Sequence, residues 1–216
     1  QLLKWVHFLL SDVTRSAFSF FSAYTVCHLR KRSPKCLYGW IIPPNTMFFT
    51  TRQLAIFIIL ASLCVAIQLT PRIGNVEFTS IITFTMGVFF GGFIGGAFGA
   101  TVMFINGFLS PWGVAGFIMP FQMAGMVIVG AAGGVYKRYG IEENPRQLLL
   151  ESATLGAFLT LIYDIITNSG VAIQAQSAFL PVFLFGIPMS ILHVVSNTAL
   201  FGFALPPLTK AIQKFL

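Results

Sequence analysis

Charge is what this sequence has least of: Asp, Glu, Lys and Arg make up 9% of its 216 residues, where a soluble domain carries about 25%. A chain so poor in charge cannot present a water-solvated surface throughout, which argues against a soluble enzyme, and its apolar content excludes a disordered segment. Cysteine is scarce and odd in number. Cys27, Cys36 and Cys64 form no CxxC pair, so neither a disulfide framework nor a zinc knuckle is expected. Catalytic motifs are missing too: there is no GxxxxGK[ST] phosphate loop, no HExxH, no GxSxG and no carboxylate cluster at metal-ligand spacing. The chain therefore has no means of hydrolysing ATP, and no catalytic residue, cofactor or metal is expected. What is abundant is apolar: 56% of residues are hydrophobic, with 20 Gly and 24 Phe. That composition suits helices packed in a lipid bilayer, where glycine lets backbones approach.

The formal charge is +7, which in a soluble protein could indicate nucleic acid. Here the charges sit between apolar runs, so membrane topology accounts for them better and no nucleic-acid partner is expected. Residues 1–46 hold six basic residues and one acidic; residues 47–216 hold seven and five. The excess is thus mostly N-terminal. Apolar stretches in the first 46 residues fall short of the ~20 residues a span needs. Two readings of this basic extension stand: an interfacial segment, or sequence upstream of a natural start at Met47, with the second preferred because Pro43-Pro44 breaks structure there. No small-residue cleavage site follows its short apolar runs, so it does not resemble a cleaved signal peptide.

Residues 47–216 read as one membrane domain. Six apolar runs are cut by polar or Pro/Gly punctuation: Gln53–Leu69, Val76–Phe90, Gly92–Phe108, Val114–Tyr136, Gln147–Asn168 and Pro181–Leu205, with Ser169-Gly170 and Pro206-Pro207 as stops. The expectation is an all-α membrane protein, a compact bundle of six transmembrane helices. With both ends on one face, that face holds Arg52, Lys137, Arg138, Arg146, Lys210 and Lys214, and the opposite face holds Arg72 alone. The positive-inside rule makes the basic face cytoplasmic. Gly87, Gly91, Gly95 and Gly99 recur every four residues, Gly92 and Gly96 run parallel, and Gly130 and Gly134 repeat the spacing. Such rows predict close packing of one span on another, with a tight uncharged turn at Gly91-Gly92.

Polar groups inside a bilayer are costly, so the intramembrane ones carry the information. Asn75, Glu77, Asn106, Gln122, Asp164 and Asn168 all fall toward the outer half of the expected bundle, with Arg72 and Trp112 in outer loops at the same end. Convergence from four spans and two loops describes a pocket open to the outside. The alternative is interfacial placement, in which residues near span ends are solvated by headgroups. Thr160, Asp164 and Asn168 share one helical face, as do Ser190, His193 and Asn197. His193 reads either as a satisfied structural histidine or as a ligand contact.

At this point the sequence resembles a family. Pro71-Arg72-Ile73-Gly74-Asn75-Val76-Glu77-Phe78-Thr79-Ser80, the glycine-rich Gly87–Gly99 stretch, Asn106-Gly107, Met119-Pro120-Phe121-Gln122, Tyr163-Asp164-Ile165-Ile166-Thr167-Asn168 and His193-Val194-Val195-Ser196-Asn197 resemble the substrate-binding S component of energy-coupling factor (ECF) transporters. The resemblance covers roughly residues 52–210 and implies a cell-membrane protein that captures a vitamin or similar micronutrient from outside. It implies as partners a membrane T component and two cytoplasmic ATPases. The resemblance further implies that the loop between the first two spans, Thr70–Asn75 here, gates the pocket. From their polarity within the spans, Asn75, Glu77, Asn106, Gln122, Asp164 and Asn168, with His193 and Asn197, are expected to contact or organise the substrate. Trp112 would serve as a lid or stacking surface and Arg72 as a gating charge. The family docks its T component through small residues on the first span, often Ala-xxx-Ala; the nearest pair here is Ser62 with Ala66. Two carboxylates beside one Arg favour a neutral, zwitterionic or cationic ligand over a polyanion. Competing readings are a stand-alone channel or secondary carrier, a membrane-embedded enzyme using Asp164, Glu77 or His193, and a structural scaffold.

Overall fold

A computed structural model describes residues 50–70, 76–110, 114–139 and 144–213. The basic extension 1–46, Arg72, Asn75 and Trp112 lie outside the described residues. Six α-helices account for nearly all of what is described, and no strand occurs among these residues: α1 (Thr51–Leu69), α2 (Thr79–Phe90), α3 (Gly92–Leu109), α4 (Met119–Tyr139), α5 (Pro145–Gln174) and α6 (Phe179–Gln213). A single 3₁₀ turn, Gly116–Ile118, leads into α4.

The helix starts follow from local chemistry. Thr50 caps α1 in a reciprocal box, its hydroxyl accepting from the Gln53 amide while the Gln53 side chain accepts from the Thr50 amide. Two orphan N–H groups are thereby satisfied. α5 begins with Asn144 accepting from the Arg146 amide and with Pro145 at the first helical position, where no N–H is needed.

Among the described residues five helices are long and apolar enough to cross a membrane: α1, α3, α4, α5 and α6, α4 counted together with its 3₁₀ turn. That marks a multi-pass membrane protein. α2 differs from the expected span. It has 12 residues, ~18 Å of helix, because Val76 to Phe78 stay non-helical. Eleven of its twelve residues are buried, so it is enclosed by α1, α3, α4 and α6. α6 stands at the other extreme and leaves Leu180, Leu184, Phe185, Met189, Ile191, Val195 and Phe203 exposed. An apolar surface of that extent is solvated by acyl chains.

Two expected stops are overturned. α5 runs through Ser169-Gly170 to Gln174, since the Ser169 hydroxyl donates back to the Ile165 carbonyl and Gly170 is there for packing: a Cβ on it would lie 2.7 Å from the Phe121 ring. α6 continues through Pro206-Pro207 to Gln213 and holds Pro188 as well. Proline costs a helix one hydrogen bond, but neighbouring helices in an apolar bundle keep the segment helical.

The glycine rows form a three-way junction. A Cβ on Gly87 would meet the Gly130 carbonyl at 2.0 Å, one on Gly130 would meet Gly95 at 2.2 Å, and one on Gly133 would meet the Phe84 carbonyl at 2.0 Å. α2, α3 and α4 therefore touch backbone to backbone. The α2 to α3 turn is the single residue Gly91, at φ 95°, a conformation open to glycine. Lys137 in the last turn of α4 donates to the Phe89 carbonyl beside that turn. The basic residues Lys137, Arg138 and Arg146 mark one end of the bundle, and the ends of α1 and α3 point to the other.

Candidate functional site

At that second end a cavity of about 190 Å³ is lined by Gln68, Glu77, Met103, Asn106, Gln122, Tyr163, Asp164, Thr167 and His193. Five of the six described helices and the residues just before α2 reach it. Gln68 comes from the last turn of α1, Glu77 from just before α2, Met103 and Asn106 from the end of α3, and Gln122 from the first turn of α4. α5 contributes Tyr163, Asp164 and Thr167, and α6 contributes His193. The α5 to α6 hairpin extends beyond this level: Gln174 lies ten residues past Asp164, ~15 Å along the helix. The cavity is thus set beneath the hairpin tip rather than at it.

His193 organises the site. Its Nδ1 lies 2.8 Å from Asp164 Oδ1, and because a carboxylate only accepts, Nδ1 carries the proton. Its Nε2 lies 3.5 Å from Glu77 Oε1. The imidazole is 3% exposed and bridges two carboxylates of 8% and 5% exposure. Tyr163 packs its ring edge-on against the imidazole at 5.8 Å and donates its hydroxyl to Met103 Sδ. Glu77 has further support: Ser80 Oγ donates to Oε1 at 3.2 Å and Gln68 Nε2 donates to Oε2 at 3.3 Å. Gln68 Nε2 also donates to Thr79 Oγ1. The carboxylate fixes the Gln68 amide, because a flipped amide would set oxygen against oxygen.

Four polar atoms remain buried without a hydrogen-bond partner around this network: the acceptors Gln68 Oε1, Asn106 Oδ1 and Asp164 Oδ2, and His193 Nε2. Such groups cost about 1–3 kcal/mol each when nothing meets them. Unmet buried groups also occur away from the cavity, at Thr83 Oγ1, Ser152 Oγ and Asn197 Oδ1; what sets this site apart is that several converge on one cavity. With both carboxyls ionised the lining sums to −1 or −2 according to the protonation of His193, and no Lys or Arg stands among the described lining residues.

The candidates read from sequence separate into groups. Glu77, Asn106, Gln122, Asp164 and His193 line the cavity. Asn168 does not; its Nδ2 donates to the Asp164 carbonyl at 2.8 Å and its Oδ1 faces Gly186 of α6. Asn197 is fully buried one turn along α6 from His193 and donates to Thr160 Oγ1 at 3.0 Å, tying α6 to α5. Ser62 and Ala66 are exposed on α1, away from the cavity. Sequence reasoning left Gln68, Met103, Tyr163 and Thr167 out of the candidate set. Gln68 carried the same signal as the others, an amide inside an apolar run. Met103 and Tyr163 look like ordinary core residues and carry none. Among the described residues no group of three or more His, Cys, Asp or Glu could hold a metal ion.

Compared with known proteins, the chain matches no family model, and no curated protein or solved structure matches it.

Proposed function

We propose that this chain is a membrane-embedded capture subunit for a small molecule, acting as the S component of an ECF-type importer in the cell membrane. All six helical segments would lie in the bilayer, α2 enclosed by the others, with both ends and the basic face in the cytoplasm. The observation that carries this reading is the cavity itself: three unpartnered acceptors and a carboxylate, imidazole, carboxylate bridge buried at one end of an apolar bundle. Unmet polar atoms converging from several helices on one cavity suit a ligand better than a cluster built only for support. The chain has no phosphate loop, so energy would come from partners, a T component and two ATPases. Ser62 and Ala66, exposed on α1, offer the T component a place of close approach.

Native mass spectrometry of the full chain tests this directly. A small organic molecule should be retained, and Asp164→Asn or Glu77→Gln should lower its affinity about 10- to 150-fold, the worth of one charged hydrogen bond. Unchanged retention in both variants would sink the assignment.

A proton-coupled secondary carrier is the second reading. It is favoured by the Glu77, His193, Asp164 bridge, since chains of Asp, Glu and His in the membrane serve as proton relays. Reconstitution separates the two: a carrier takes up substrate alone under an imposed pH gradient, whereas a capture subunit needs its ATPases.

A further inference from the structure

We infer that the captured molecule is a small organic cation whose N–H donors seat on Asp164 Oδ2. The inference rests on the capture reading and narrows its substrate to one chemical class. Its basis is the sign of the unmet hydrogen bonding. Asp164, a lining residue of the cavity, spends one oxygen on His193 Nδ1 at 2.8 Å and leaves the other, Oδ2, buried without a partner. Gln68, pinned by Glu77, is left with Oε1, and Asn106 with Oδ1; three of the four open positions are oxygen acceptors, and the fourth, His193 Nε2, stands 3.5 Å from Glu77 Oε1. A ligand that satisfies the oxygens must bring donors. Protonated amines and amidine-like nitrogens bring several on one atom or group, together with the positive charge that Glu77 and Asp164 favour. An anion would meet oxygen lone pairs and two like charges, and a hydroxyl brings one donor only.

Size and shape agree. A cavity of about 190 Å³ equals about six waters at ~30 Å³ each and lies below the ~300–1,000 Å³ of drug-sized sites. The molecule is therefore compact. Tyr163, its ring perpendicular to the His193 imidazole, lines the cavity beside the carboxylates, and an aromatic neighbour suits a cation.

Three probes on one scaffold test the charge preference: phenethylamine as cation, 2-phenylethanol as neutral and phenylacetate as anion. Each is titrated against the full chain in lipid nanodiscs, with thermal stabilisation as readout. Phenethylamine should act at concentrations at least about tenfold lower than the other two, and Asp164→Asn should erase that advantage. If that variant does not fold, Asn106→Asp serves instead: a further carboxylate at an unpartnered acceptor should strengthen the amine and weaken phenylacetate. Equal or better action by the alcohol or the anion overturns the cation assignment and leaves capture standing. If no probe acts, the molecule retained in native mass spectrometry decides: a basic nitrogen supports the inference and its absence overturns it. No probe action and no retained molecule together remove the capture reading, and the inference with it.

Discussion

Asp164 and Asn197 lie on facing helices, a little over one turn apart, yet they do different work. Asp164, in the cavity lining, offers one carboxylate oxygen to His193 and leaves the other buried without a partner. Asn197 is 0% exposed and spends its amide on Thr160, so it holds α5 to α6 without reaching the lining. A pair of substitutions separates binding from support. Asp164→Asn should weaken ligand retention while the protein still folds. Asn197→Ala should leave retention unchanged and lower thermal stability by about 0.5–1.5 kcal/mol, the net worth of one neutral hydrogen bond. Melting curves with and without the retained molecule distinguish the two effects. The rule that polar groups are costly in an apolar run picked out Glu77, Asn106, Gln122, Asp164 and His193, because each interrupts such a run. It passed over Gln68, one residue from the end of α1, where an amide reads as interfacial. It could not see Tyr163 or Met103, whose role depends on a neighbouring helix.

At the scale of elements, packing was more legible than length. Glycine at four-residue spacing means close approach whatever the partner, and Gly87, Gly95 and Gly130 meet as that spacing requires. Gly130→Ala would drive a Cβ to 2.2 Å from the Gly95 backbone, which cannot rotate aside. A loss at or above the ~1–3 kcal/mol typical of overpacking is expected. Gly202→Ala is the control, its nearest neighbour being the Ala153 Cβ at 3.3 Å, and it should melt close to the parent. Helix ends were less legible. Ser169-Gly170 and Pro206-Pro207 are breakers in water, but a helix surrounded by apolar neighbours has no better place for its backbone groups. α5 in fact ends at a Schellman motif with no glycine in it. Ser177 N donates to Ala172 O, Gln176 N donates to Ile173 O, and Gln176 takes φ 50°. A non-glycine residue pays ~1–2 kcal/mol for that conformation, and glycine gives back part of it as chain entropy. Gln176→Gly should therefore stabilise the hairpin by about 0.5–1 kcal/mol, read as a higher melting temperature and slower exchange of the Ser177 amide.

For the whole molecule, the two ends of the bundle are chemically opposite. Arg52 opens α1, Lys137 and Arg138 close α4, Arg146 opens α5 and Lys210 falls in the last turn of α6. The cavity and the α5 to α6 hairpin lie at the other end. Cations flanking spans stay on the cytoplasmic side, so on the proposed capture reading this polarity would aim the cavity outward. The same polarity would make rotation of the bundle in the bilayer inexpensive at the cavity end. No Lys or Arg among the described residues there would have to cross hydrocarbon, whereas the basic end would resist. Labelling with a membrane-impermeant maleimide tests the orientation in intact cells, in a chain with Cys27 and Cys36 replaced and the buried Cys64 retained. Gln176→Cys, in the exposed hairpin, should label from outside. Arg138→Cys should label only after the cells are opened. The reverse pattern would place the cavity toward the cytoplasm, where it could not take up a ligand from outside, and would leave a carrier or an export role as the better account of the same residues.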